Sequence, residues 1–266
     1  MSSVNRSKLE FGRGFASASI VLPTFNEVAA VETALERLAL HFQTRRMDYE
    51  IIVVDDGSTD GTHLLPWSEY SKRHNAIYLR LPSNRGKGAA VRAGLQLSQK
   101  DLVFFTDIDM PVDLSSFDNC VNQLLKGGTE FVMGNRRLRG SRTLGESFVC
   151  RRVVSRIFNV GARVMAVPGC TDTQCCLKGF TASSLERILP WLTLDSYAFD
   201  VEIILIARRL GVKCSEIPVL WFDLRSHVSH LRVCRVLVLM LWDVARMRFR
   251  LWRTRNTGKT LDLPAV

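Results

Sequence analysis

A chain of 266 residues that is 47% apolar and 23% charged has enough apolar mass to bury a core, which excludes disorder over most of its length. Lys and Arg number 36 against 26 Asp and Glu, a formal charge of +10 that favours polyanions: nucleic acid, nucleotides, phosphates or an anionic membrane surface. Seven cysteines, two of them the adjacent Cys175 and Cys176 and none in a CxxC spacing, argue against a disulfide framework or a zinc site and for a reducing compartment.

Residues 1–17 read as a polar tail, and Met1 to Phe15 lack the apolar run of a signal peptide. Ser19-Ile20-Val21-Leu22 is a buried strand closed by Pro23. Val28, Val31, Leu35, Leu38 and Phe42 then recur at helical spacing over residues 27–42. A second strand covers 50–54 and ends in Asp55-Asp56-Gly57. A helix over 61–73, a strand over 76–81, a helix over 88–98 and a strand over 102–106 come next. Strands alternating with helices imply βαβ units, and so an α/β fold with a mostly parallel sheet and flanking helices.

Open α/β sheets bind ligands outside the carboxyl ends of their strands. Those ends hold Pro23-Thr24-Phe25-Asn26-Glu27, Asp55-Asp56, Asn84-Arg85-Gly86-Lys87-Gly88 and Asp107-Ile108-Asp109, so four polar segments converge on one rim. On an extended segment Asp107 and Asp109 face the same way. Two carboxylates this close repel unless a cation or a donor lies between them, and a divalent metal shared with substrate phosphates satisfies both. A solvated turn is the plainer alternative. Asp55, nearest its strand end, is placed to accept hydrogen bonds from a base or ribose, while Ser58, Thr59 or Asp60 caps the next helix. The glycines of residues 84–88 let backbone N–H groups approach an anion at a helix start. This is not a Walker A loop, because Leu81 stands five before Gly86 and Gly88 comes directly after Lys87.

Gly134-Asn135-Arg136-Arg137 ends the apolar run 131–133, and Arg151-Arg152 opens a helical stretch through Arg163. Arginine forks match phosphate oxygens, although a solvated face would also explain them. As a rim residue, Arg136 is expected to contribute little to folding. His227 and His230 lack the further ligands that a zinc site requires.

In order, Val21-Leu22-Pro23-Thr24-Phe25-Asn26-Glu27, Val53-Val54-Asp55-Asp56-Gly57-Ser58, Asn84-Arg85-Gly86-Lys87-Gly88, Asp107-Ile108-Asp109, Asp172-Thr173-Gln174-Cys175, Phe199-Asp200-Val201-Glu202 and Glu216-Ile217-Pro218-Val219 with Trp221 and Ser226 resemble the family 2 glycosyltransferases. The type is that of the polyprenyl-phosphate (dolichyl-phosphate) sugar synthases, and the pieces at 84–88 and 172–175 are most similar to the glucosyl branch. The resemblance implies a nucleotide-binding fold of the GT-A type and inverting transfer from a nucleotide sugar, UDP-glucose before GDP-mannose, to a polyprenyl phosphate with Mg²⁺ or Mn²⁺. By matching position, Pro23, Phe25, Glu27, Asp55 and Lys87 would surround the base and ribose. Asp107 would lie near the ribose and share the metal set with Asp109, the ligand at the diphosphate. Arg136 with Arg151 or Arg152 would bind donor or acceptor phosphate, and Asp172, Gln174 and Lys178 would line the sugar and acceptor side. Of these, Asp109, Arg136, Asp172 and Gln174 form the implied catalytic set. Pro111 stands where many relatives carry a polar residue, and Cys176-Leu177 where Gly-Phe is usual.

The resemblance ends near residue 228, which divides the chain into a tail at 1–17, a GT-A domain at 18–228 and a basic amphipathic C-terminal segment at 229–266. In that segment Arg232, Arg235, Asp243, Arg246, Arg250 and Arg253 fall near one helical face. Leu237, Val238, Leu241, Val244, Ala245, Phe249 and Trp252 occupy much of the rest. No stretch approaches the roughly 18 uninterrupted apolar residues of a spanning helix. The segment is therefore expected to lie on an anionic membrane and to be dispensable for donor binding, with the protein peripheral to a cytosolic membrane face. Packing on the domain or on a second subunit is the alternative, which leaves a homo-oligomer open. A saccharide acceptor would instead require a base, Asp172 or Asp200. A nucleic-acid partner is disfavoured, since aromatic residues are not interleaved with the basic ones.

Overall fold

The computed structural model describes residues 16–145, 167, 169–222 and 238–249. Arg151, Arg152, His227 and His230 lie outside the described residues, as do residues 229–237 and 250–266 of the C-terminal segment.

Seven strands form one sheet in the order β3-β2-β1-β4-β7-β5-β8. They are β1 (Ala18–Thr24), β2 (Tyr49–Asp55), β3 (Ala76–Arg80), β4 (Leu102–Phe105), β5 (Phe131–Asn135), β7 (Lys178–Thr181) and β8 (Cys214–Pro218). All pairs are parallel except those of β7, which runs antiparallel between β4 and β5. A short parallel pair, β6 (Arg142–Leu144) with β9 (Leu220–Phe222), stands apart. The helices are α1 (Val28–Thr44), α2 (Trp67–His74), α3 (Lys87–Leu97), α4 (Leu114–Leu125), α5 (Ala182–Ile188) and α6 (Phe199–Arg209), with a further helical stretch at 238–249.

β1 and β2 are buried at every position, as expected of parallel strands covered on both faces. One face packs Ile20, Leu22 and Phe104 against Leu35 and Leu38 of α1 and Phe117 of α4. The other packs Val21, Val54 and Phe105 against Val91 and Leu95 of α3 and Phe199 and Ile203 of α6.

Three local expectations change. Pro23 does not close β1 but pairs with Val54. Pairing of β1 with β4 stops at Val21↔Phe105, and Pro23, alternating with the β2-bonded Thr24, turns its missing N–H to that vacated side. The helix expected over 61–73 is broken into a 3-10 turn (Thr62–Leu64) and α2, because Pro66 has no N–H to continue a helical ladder. Asp107 to Met110 form a turn, with Met110 N–H donating to the Asp107 carbonyl and Met110 at φ 48°, rather than extended strand.

The 238–249 helix is built into the domain on one side. Met240, Val244 and Met247 are buried in the cluster that holds α3 and α6, and Ser196 Oγ donates to Asp243 at 2.6 Å. Asp243 and Val244 thus face the protein, not a headgroup layer. Val238, Leu239 and Trp242 are exposed on the helix, Trp242 to 62%.

Candidate active site

β2 and β3 lie to one side of β1 and β4 to the other, so the chain reverses its progress across the sheet between β1 and β4. Crevices form at such reversals, outside the carboxyl ends of the strands. The register Thr24↔Asp55 sets the loops after β1 and β2 level with each other. Asn26, at φ 55°, ties them together: Asn26 N–H donates to Ser58 Oγ at 2.9 Å, and Thr59 N–H donates to Asn26 Oδ1 at 2.8 Å. Phe25 is left exposed at the lip and Glu27 half-buried beside it.

The acidic pair after β2 is committed internally. Asp55 is fully buried; its Oδ1 accepts Ser58 N–H at 2.7 Å and its Oδ2 the Tyr78 hydroxyl at 2.7 Å, with Arg80 Nε 3.7 Å away. Burial, then the Asp55 carboxylate, push the Tyr78 phenol above its ordinary value. Asp55 therefore fastens the turn and β3 at the strand end where the base or ribose was expected. Asp56 accepts Arg85 N–H and Gly86 N–H, both at 2.8 Å. The anion approached by the glycine loop is thus the protein's own carboxylate. Trp67 stacks on Tyr78 with centroids 4.0 Å apart, an arrangement that no motif announced.

Lys87 and Asp107 form an ion pair across the crevice. Burial works against the Lys87 charge, but Asp107 and Asp200 outweigh it and raise its proton affinity. Ile108 and Met110 enter the core while Asp107 and Asp109 stay half-buried. Asp109 Oδ1 is a buried oxygen that accepts no hydrogen bond, although the residue keeps other interactions. Among the described residues no group of three or more His, Cys, Asp or Glu could hold a metal. Two oxygen-bearing side chains suit a hard divalent cation that takes its remaining ligands from phosphates and water.

Beyond β5, Arg136 grips Asp172 with a two-pronged fork, Nε to Oδ2 and Nη2 to Oδ1, both at 2.7 Å. The guanidinium lies 4.6 Å from the Trp221 ring centroid. Burial opposes the Asp172 charge, but the Arg136 fork prevails and holds its carboxyl below the usual value. Arg136 is therefore not a loose rim residue. Gln174 N–H donates to Asp172 Oδ1 at 3.3 Å, and Gln174 Nε2 is buried without a partner.

Lys178 does not reach the crevice surface. It sits in β7 opposite Phe105, donates to the Cys175 carbonyl at 2.7 Å and is ion-paired with Asp200, both residues being buried. Burial pushes the Asp200 carboxyl up against the pull of Lys178 and Lys87. The strand order thus sets Pro23, Phe25, Glu27, Lys87, Asp107 and Asp109 at or after the carboxyl ends of neighbouring strands, where Lys87 meets Asp107, and joins Arg136, Asp172 and Gln174 beyond β5.

The family model "Glycosyl transferase family 2" matches residues 19–189. The dolichyl-phosphate beta-glucosyltransferase of Dictyostelium discoideum is 30% identical over 254 residues, covering 90% of this chain and 77% of that one. The human enzyme of that name is 27% identical, covering 78% and 68%. Among solved structures, mannosyl-3-phosphoglycerate synthase from Rubrobacter xylanophilus superposes with a TM-score of 0.64 at 19% identity, covering 94% and 77%. Glucosyl-3-phosphoglycerate synthase from Mycobacterium tuberculosis, in complex with Mn²⁺, uridine diphosphate and glucosyl-3-phosphoglycerate, gives 0.60 at 20% identity, covering 86% and 80%. At these identities the solved structures establish the GT-A type fold alone. The family match runs from β1 to the end of α5 and takes in both sides of the crevice; this chain belongs to glycosyl transferase family 2 and is a glycosyltransferase.

Proposed function

We propose that this enzyme transfers glucose from UDP-glucose to a polyprenyl phosphate of the dolichyl type, with inversion, at the cytosolic face of a membrane. The names of the Dictyostelium discoideum and human relatives support the sugar and the acceptor. The observation that carries the reading is the pairing of both carboxylates that could have served as a base. Asp172 is held by Arg136 and Asp200 by Lys178. A hydroxyl acceptor would need such a base, whereas a phosphate acceptor is already ionised near neutral pH and needs only to be positioned.

In this reading Pro23, Phe25, Glu27, Asp55 and Lys87 surround the base and ribose. Asp107 orients Lys87 near the ribose, and Asp109 with Asp107 would hold Mg²⁺ or Mn²⁺ for the donor diphosphate. When bound, that metal supplies neutralisation of the charge gathering on the departing nucleoside diphosphate. Arg136 spends Nε and Nη2 on Asp172, which leaves Nη1 for a phosphate oxygen; Arg151 or Arg152 adds a second cation. Gln174 Nε2 offers a buried donor to the sugar or the acceptor. The acceptor oxygen then attacks the anomeric carbon opposite the leaving group.

The test is product detection from a panel of UDP- and GDP-sugars with polyprenyl phosphate or free sugars as acceptors, alongside Asp109→Ala. We expect a lipid-linked β-glucoside from UDP-glucose and a loss of at least about 100-fold in the variant, the scale of removing one preorganised electrostatic contact. Glucosylation of free sugars, or near-normal turnover of Asp109→Ala at saturating donor, would overturn it.

The membrane is met by the outward face of the 238–249 helix. Val238, Leu239 and Trp242 are exposed there beside Arg246 and Arg248, a pairing of apolar and cationic side chains that suits an anionic interface. Among the described residues no helix is long and apolar enough to cross a membrane.

A further inference from the structure

The loop at 84–88 is held from two directions, and only one of them is explained by the family motifs. Asp56 holds it from beneath. From above it meets residues 192–198, the segment between α5 and α6. Gly88 N–H donates to the Asp195 carbonyl at 2.8 Å. A Cβ on Gly86 would overlap that same carbonyl, and a Cβ on Gly88 would overlap the Leu194 carbonyl. Both glycines are thus required by the approach of this segment. The Asp195 side chain then takes two cations: Oδ2 accepts from Arg85 Nη2 at 3.1 Å, and Oδ1 is ion-paired with Arg92, one turn further into α3.

We infer that Asp195 is a positioning residue for donor binding, which fixes the 84–88 loop so that Lys87 reaches Asp107; this rests on the donor role proposed for that loop. The segment carrying Asp195 is itself pinned. Glu202, in the first turn of α6, accepts Thr193 N–H at 3.0 Å and Leu194 N–H at 2.8 Å, and Ser196 bonds to Asp243. A stiff segment presenting one carboxylate to two arginines is a clamp. Without that carboxylate, Arg85 and Arg92 would face each other with no counter-ion between them, and the loop would keep only its backbone bonds to Asp56 and to the Asp195 carbonyl, which hold Lys87 less firmly on Asp107. Asp195 and Arg85 are partly solvated, so the pair contributes little to global stability and its role is geometric. Substituting the side chain leaves the carbonyl that receives Gly88 N–H in place.

The experiment compares Asp195→Ala, Asp195→Asn, Asp195→Glu and Lys87→Met. It measures kcat, KM for donor and for acceptor, Tm, and affinity for uridine diphosphate with Mn²⁺ by titration calorimetry. Asp195→Ala and Asp195→Asn should raise donor KM and weaken uridine diphosphate binding by about tenfold, the scale of a charge-assisted contact. Acceptor KM and Tm should stay near wild type, and Asp195→Glu should recover most of the loss. Unchanged uridine diphosphate affinity in Asp195→Ala, with Lys87→Met impaired, overturns the inference alone. Unchanged affinity in Lys87→Met overturns the donor role of the loop as well. A fall in Tm that drags both KM values with it, unrescued by Asp195→Glu, marks Asp195 as merely structural and also overturns it.

Discussion

Arg136 and Asp172 show how far a residue's worth depends on what it leaves behind. The carboxylate is fully buried and the guanidinium mostly so. Removing the arginine strands a buried charge, a loss of about 3–5 kcal/mol by comparison with other broken buried pairs. Arg136→Ala should therefore lower both activity and Tm, contrary to what its place in the sequence suggests. The pH dependence has a definite sign. Asp172 has a depressed carboxyl in the folded state, so its contribution is present above the ordinary carboxylate value of about 3.9 and is lost as pH falls through the lower folded value. Thermal melts of wild type and variant should differ widely at pH 7 and converge in acid; equal Tm values at pH 7 would refute the buried-pair account.

At the scale of elements, the first half of the chain was legible because period and position agree there. β1, β2 and β4 are short apolar runs, α1 and α3 carry helical spacing, and the polar segments after the strands do gather at the crevice. What such patterns conceal is the destination of a carboxylate. Nothing in the motif announced that Asp55 would also hold Tyr78, or that Asp56 would hold the glycine loop. The Lys178–Asp200 pair was hidden for a similar reason, since Asp200 lies on another element and becomes a neighbour only when β7 enters the sheet. The 238–249 helix was half legible: its arginines and apolar residues were visible, but which apolar side faced the protein was not. Met240, Val244 and Met247 bury side chains worth about 1.5–3 kcal/mol each. A chain ending at residue 237 should then melt on the order of 10 °C lower than the full chain. Calorimetry giving the same Tm for both would show that the inner face contributes nothing to the domain.

For the whole molecule, the +10 charge and the outward face of that helix act together. Each Lys or Arg close to an anionic bilayer contributes about 1 kcal/mol, a contribution that salt screens. Because Trp242 is exposed, Trp242→Glu should leave Tm unchanged while releasing the protein from phosphatidylserine vesicles in flotation, and raised salt should weaken the wild type in the same assay. A variant that floats as well as wild type would remove this face from the membrane account, and one that melts early would show that the face is covered by protein instead.

The antiparallel course of β7 also has a consequence in time. Phe105 pairs with Lys178, so the strand that completes the sheet beside β4 is made about 70 residues after it. At typical rates of synthesis of 5–20 residues per second, that interval is about 4–14 s. Every crevice residue from Pro23 to Asp109 has left the ribosome's catalytic centre before Asp172, the anchor of Arg136, has been added to the chain.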